Sequence, residues 1–134
     1  MAQPGNRFTV ELTPSQLGWG KERYTTTRPP REGEGYLAIP KRYAQAYNLY
    51  NSNYTNNGDV LGQNIFNCVS NDGFLHCQLK AQGCSEAGDV YAKQFAGNDN
   101  LRSLGDWYSH IHATVGSKIE VLFVSPTDIL LTLL

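Results

Sequence analysis

Ile65-Phe66-Asn67-Cys68-Val69-Ser70-Asn71-Asp72-Gly73-Phe74-Leu75-His76-Cys77-Gln78-Leu79-Lys80 reads as two alternating runs about an Asp-Gly pair. That is the strongest short-range signal for a β-hairpin. With Asp72 and Gly73 as a two-residue loop, Phe66 faces Leu79, Cys68 faces Cys77 and Ser70 faces Leu75 on one side of the sheet. Ile65 and Lys80, Asn67 and Gln78, and Val69 and His76 share the other side. One face is apolar and the other mostly polar, as the wall of a barrel requires.

Strand signals continue in both directions from the hairpin. Residues 7–13 alternate with Phe8, Val10 and Leu12 on one face, and Thr13-Pro14-Ser15 ends that strand. Tyr36-Leu37-Ala38-Ile39 forms a short strand, and Pro40 suits a first helical position. A helix over 41–50 follows, with Tyr43, Ala46, Tyr47 and Tyr50 on one face. Residues 51–59 are a turn-rich connection. Residues 89–95 form another strand, and 101–111 a second helix with Leu101, Leu104, Trp107, Tyr108 and Ile111 at helical spacing, weakened by Gly105. Residues 118–124 and 127–134 close the series. The expectation is a mainly β domain of six or seven strands and two short helices.

The 134 residues are near the usual size of one domain, so residues 1–134 are read as a single unit. Hydrophobic residues make up 40% and charged residues 17%, a globular balance. The longest apolar run, 119–134, is broken by Glu120, Ser125, Pro126 and Asp128, which argues against a membrane span. The N-terminus lacks the apolar segment of a secretory signal. Three cysteines, an odd number, suit a reducing compartment, so the expected address is the cytoplasm.

A net charge of -1 argues against an indiscriminate nucleic-acid binder, but the charge is unevenly spread. Lys21, Arg23, Arg28, Arg31, Lys41 and Arg42 face only Glu22, Glu32 and Glu34 over the same stretch. Residues 18–35 also have no periodicity, with four Gly, two adjacent Pro and three consecutive Thr. A long arm without regular structure in a small domain is usually functional or disordered. Its local positive charge on a mildly acidic body suits selective contact with DNA, although a solvated face explains it about as well.

Catalytic patterns are hard to find. His110 and His112 resemble a pair of metal ligands, but at this spacing they diverge on a helix and no nearby acid or Cys completes a set. Cys68 and Cys77 could in principle pair as a disulfide or hold a soft metal; a packed, reduced pair fits the cytoplasm better. There is no phosphate-binding Gly-rich loop, no nucleophile elbow and no nuclease triad of acids and Lys. No catalytic residue, metal or cofactor is assigned.

The order of elements carries a resemblance. Leu12-Thr13-Pro14-Ser15-Gln16-Leu17-Gly18, a basic arm, and Tyr36-Leu37-Ala38-Ile39-Pro40-Lys41-Arg42-Tyr43-Ala44 resemble the opening of the plant B3 DNA-binding domain. The Asn71-Asp72-Gly73 hairpin, Gly105-Asp106-Trp107-Tyr108 and Val115-Gly116-Ser117-Lys118-Ile119-Glu120-Val121 follow in the same order. The chain departs at Gly116-Ser117, where the plant family has Gly-Asp. With Gly18-Trp19-Gly20, Arg28 and Arg31-Glu32, the long arm is more similar to the prokaryotic branch, the B3-like recognition domains of type II restriction endonucleases.

That resemblance implies a seven-stranded open pseudobarrel with two short helices and two arms in the major groove of double-stranded DNA. The first arm spans 19–34 and the second about 81–89. Arg23, Arg28 and Arg31 are then base-reading candidates, since Arg pairs bidentately with guanine. Lys21, Lys41, Arg42 and Lys93 suit phosphates, Tyr24 lies in the first arm, and Gln82, Ser85 and Glu86 belong to the second. Trp19 suits an anchor of the arm on the barrel. The implied partner is a nuclease domain in the parent chain or a partner chain of a restriction endonuclease, and sensing of cytosine modification is left open. Two alternatives stay open: a small metal-dependent nuclease using His110 and His112, and a module binding single strands or protein through exposed tyrosines.

Overall fold

The computed structural model describes residues 3–17, 35–51, 65–83, 90–98, 100 and 102–134. Its strands are β1 (Arg7–Glu11), β2 (Leu37–Ala38), β3 (Ile65–Ser70), β4 (His76–Gln82), β5 (Gln94–Gly97), β6 (Lys118–Ser125) and β7 (Asp128–Leu133). Three short helices join them among the described residues: α1 (Pro14–Leu17), α2 (Lys41–Ala46) and α3 (Ser103–His110). All strands belong to one mixed sheet in the order β1-β6-β7-β3-β4-β5-β2, curled into a nearly closed barrel.

The hairpin has the expected register, with Cys68 opposite Cys77 and Phe66 opposite Leu79. Phe66, Cys68, Leu75 and Leu79 are buried, while Asn67, Val69, His76 and Gln78 point outward. The loop differs. Ser70 N–H donates to Leu75 O at 3.0 Å, and Gly73 N–H to Ser70 O at 3.0 Å, so the turn centres on Asn71-Asp72 and four residues cross between the strands. The Asp72 carboxylate decides this. It accepts from the Ser70 hydroxyl and from Phe74 N–H at 3.0 Å, which satisfies the turn's own donors. Gly73, at φ +80°, absorbs the left-handed step.

Several element boundaries also move. α2 ends at Ala46 rather than Tyr50, because Asn48 takes φ 55° and Leu49 N–H returns to Ala44 O at 2.8 Å. Tyr50 then bridges to Tyr91 as a short antiparallel pair. The strand expected over 89–95 therefore splits into this bridge and β5, which starts at Gln94. Pro14 starts an extra turn, α1, where only a strand end was expected.

The inward residues fill one core. Phe8, Val10 and Leu12 of β1 meet Ile119, Val121 and Phe123 of β6 and Ile129 and Leu131 of β7. α2 plugs the end of the barrel where β1 begins, with Tyr43 stacked on Phe8 at 5.2 Å and Tyr47 edge-on to Phe123 at 6.1 Å. α3 covers the opposite end with buried Leu104, Trp107 and Tyr108. Trp107 Nε1–H donates to Asp72 Oδ2 at 3.1 Å, which docks the helix on the hairpin turn. Gly35 packs against that helix closely enough that a Cβ on it would lie 3.1 Å from the Gly105 nitrogen and 3.1 Å from Gln16 O.

In the turn entering β6, Ser117 Oγ accepts from Thr114 N–H at 3.0 Å, so a side-chain hydroxyl closes the turn.

β1 and β2 are the two edges of the sheet and share no strand ladder. Side chains close the seam instead. Gln16, 2% exposed, donates Nε2–H to Glu11 O at 3.2 Å and accepts from Ala38 N–H on Oε1 at 2.9 Å. Its own carbonyl accepts from Tyr36 N–H at 3.2 Å. Tyr47 OH donates to Arg7 O at 3.1 Å and Tyr108 OH to Tyr36 O at 2.9 Å. Edge groups that water or another chain could take are thereby satisfied within the molecule.

Gln16→Ala would leave the Glu11 carbonyl and the Ala38 amide unpaired at a buried seam. The expected cost is about 2–4 kcal/mol, read as a lower urea midpoint with an unchanged m-value.

Candidate nucleic-acid interface

Four of the residues singled out from sequence lie among those described, and the strand ladder gathers them at one end of the barrel. Ile39 N–H donates to Lys93 O at 2.8 Å, and Lys93 N–H donates to Gln82 O at 2.9 Å. Three neighbouring chain segments therefore place the β2–α2 corner, Lys93 and Gln82 within two strand spacings, about 10 Å. Lys41 and Arg42 follow Pro40 directly and are exposed, as is Lys93. Arg42 Nη2–H donates to the Tyr43 hydroxyl at 3.1 Å, and its guanidinium carbon sits 4.7 Å from that ring's centroid. The ring limits the rotamers of a side chain that would otherwise lose more entropy on meeting a phosphate. Lys80, two positions before Gln82 on the same face of β4, adds a cation that sequence reasoning did not single out.

Lys21, Arg23, Tyr24, Arg28 and Arg31, with Trp19, lie outside the described residues, as do Ser85 and Glu86. The feet of both arms are described. The second arm, expected over about 81–89, starts later than that, because Ala81 and Gln82 belong to β4 and pair with Phe95 and Gln94; the described residues break off at Gly83 and resume at Val90, beside the four residues above. The first leaves at Leu17 and returns at Gly35, at the α3 end of the barrel. Between the two levels runs β2, and Tyr36 to Ile39 spans about 10 Å.

One residue in this region had no sequence signal. Asn51, fully buried, sits at the end of the Tyr50–Tyr91 bridge. Its Oδ1 accepts from Gly83 N–H at 2.8 Å, and its own N–H donates to Val90 O at 2.9 Å. From sequence it was the first residue of a polar connection, and nothing in local pattern distinguishes a buried Asn there from a solvated one.

The histidines and cysteines play other parts. His110 stacks on Phe74, with centroids 4.0 Å apart and planes 8° apart. His112 lies past the end of α3 at φ 54°. Among the described residues no group of three or more His, Cys, Asp or Glu could hold a metal ion. Cys68 and Cys77 are free thiols facing across the hairpin. The hydrogen bond to Cys77, reinforced by burial, pushes the Cys68 thiol far up. Cys77 is lowered by its hydrogen bond with Cys68, against its own burial, and by a further one with Ser103. Outside the hairpin, Asn67, Val69, His76, Val124 and Asp128 line a shallow open groove.

No protein-family model, curated protein or solved structure matches this chain.

Asp72 is the titrating group most tied to the frame. The Ser70 hydroxyl, then Phe74 N–H, Trp107 and the nearby His110 hold its carboxyl below the ordinary 3.8. A carboxyl with a depressed folded-state pKa stabilises the fold above its unfolded value, and that contribution is lost as pH falls through the folded value. Asp72→Asn should therefore lower Tm most near neutral pH. Its deficit relative to wild type should shrink below about pH 4, as measured by thermal melts across pH.

Proposed function

We propose that this domain binds double-stranded DNA sequence-specifically, laying the arm 19–34 and a second arm that starts at the Gln82 end of β4 and runs to about 89 in the major groove. It would serve as the target-recognition module of a prokaryotic, cytoplasmic restriction endonuclease, whose nuclease domain lies elsewhere in the parent chain or in a partner chain. The observation that carries this reading is the β2–α2 corner. Tyr36 to Arg42 leaves a bolted barrel seam and sets Lys41 and Arg42 beside Lys93 and the feet of the second arm. The B3-like order of elements, now on a seven-stranded pseudobarrel, adds to it.

The distance between the arms' feet is compatible with joint use. An extended chain gains about 3.3 Å per residue, so residues 18–34, running out and back, can reach well past the length of β2. In such a division Arg23, Arg28 and Arg31 read base edges, with Tyr24 beside them in the first arm, while Lys21, Lys41, Arg42 and Lys93 neutralise phosphates. Gln82, Ser85 and Glu86 read from the second arm. A cation-rich arm on a chain of net charge -1 favours this local contact over diffuse attraction to any polyanion.

The other readings draw little from the described residues. His110 is stacked on Phe74, and His112 lies past the end of α3 at φ 54°. The described tyrosines are engaged within the fold: Tyr43 on Phe8, Tyr47 against Phe123 and Tyr50 on Tyr91. Stacking platforms for single strands would have to be taken from those contacts.

Selection from randomised duplexes, repeated with methylated cytosine, should return one short site and show whether modification matters. On that site Arg28→Ala and Arg31→Ala should each cost about 1–3 kcal/mol and relax discrimination at individual positions. Lys93→Ala should instead weaken all duplexes alike and reduce the salt slope by about one. Unchanged affinity and preference in the double Arg variant would sink this assignment of the first arm.

A further inference from the structure

We propose that Asn51 is the positioning residue of the second arm, holding its two feet in the spacing that base reading needs. The inference rests on the duplex-binding reading above. Asn51 joins three chain segments at once. Its backbone N–H donates to Val90 O, where the arm returns, and its side-chain Oδ1 accepts from Gly83 N–H, where the arm leaves. Leu49 O accepts from Ala92 N–H at 2.8 Å, and Tyr50 stacks on Tyr91 at 5.4 Å. Residues 49–51 thus form a splint against 90–92, and the Asn51 carboxamide is the group that extends the splint across to β4.

Chemistry favours a carboxamide at this position. The residue is fully buried, so a charged acceptor would be costly and an aliphatic one would leave the Gly83 amide without this partner. A Ser hydroxyl, one atom shorter, would not reach. The ladder between β4 and β5 ends at Gln82 and Gln94, and Lys93 N–H to Gln82 O is the last strand-like bond before the arm. Beyond that bond Asn51 joins the two feet through Gly83 N–H and Val90 O. A fixed separation lowers the loop entropy that duplex binding would otherwise have to remove.

A positioning role and a merely structural role differ in one readout. Loss of folded protein weakens every duplex by one factor and leaves the ranking of sites unchanged. Release of one arm flattens discrimination only at the bases that arm reads. The experiment is a panel of duplexes carrying each single-base change in the selected site, titrated with the whole chain. Asn51→Ala should lose about fivefold or more in affinity for the best site and flatten discrimination over a contiguous subset of positions. The rest of the profile should remain. Asn51→Ser serves the same purpose if the Ala variant fails to fold. In parallel, amide exchange at Gly83 should accelerate in the Ala and Ser variants relative to wild type.

An unchanged profile in folded Asn51→Ala or Asn51→Ser protein overturns the positioning role while leaving duplex binding intact. Failure of the wild-type chain to select any duplex overturns the functional reading and this inference with it.

Discussion

The buried carboxamide of Gln16 holds together two strands that never pair. A seven-stranded sheet that curls without closing leaves two edges facing each other, each with backbone groups that must find partners. One donor and one acceptor on a single side chain meet the Glu11 carbonyl on one side and the Ala38 amide on the other. The tyrosine hydroxyls of Tyr47 and Tyr108 take Arg7 and Tyr36 in the same way. Side-chain bolts close a seam that no strand ladder spans.

The barrel's two ends are built differently as a result. At one end α3, the Asp72 turn and the Gly35–Gly105 approach pack closely, and Trp107 joins helix to hairpin through its indole N–H. At the other end α2 closes the core with stacked aromatics, while cations and a buried amide collect around the strand ends. Rigidity at the first end and charge at the second suit a frame that presents loops, since a loop gains precision from the elements that carry its feet.

Much of this was legible in local pattern, and the failures share one cause. The Phe66-Cys68 and Cys77-Leu79 alternation specified the hairpin register, because a slip of one residue would have turned every apolar side chain to water. The loop type was misread because Asp72 bonds Ser70 and Phe74, contacts that composition does not reveal. Alternation also found β1, β6 and β7, and Pro40 marked the start of α2. The helix over-extended to Tyr50 because its tyrosines keep helical spacing, yet tertiary pairing with Tyr91 won. Gln16 and Asn51 were invisible as structural residues: a buried amide earns its place from partners far away in sequence, twenty-two residues for the Ala38 bond and thirty-two for the Gly83 bond. The arms themselves were read from charge and from a resemblance in element order, which the described residues frame at both feet.

The parallel pairing of β3 with β7 also governs the order of assembly. β1, β6 and β7 form one meander-like group, and β2, β5, β4 and β3 another; among the described residues the β3–β7 pairing is the only strand ladder that joins them. The β3–β4 hairpin closes over a handful of residues and can form early. β1 must wait for β6, more than a hundred residues later, and the two groups stay separate until 128–133 arrive between them. Such non-local pairing is the kind that slows folding, and it leaves the edge of β3 unpaired until the last strand slots into place. A chain halted before residue 128 would display that edge to its neighbours, so strand-to-strand association between nascent copies is the hazard this topology carries.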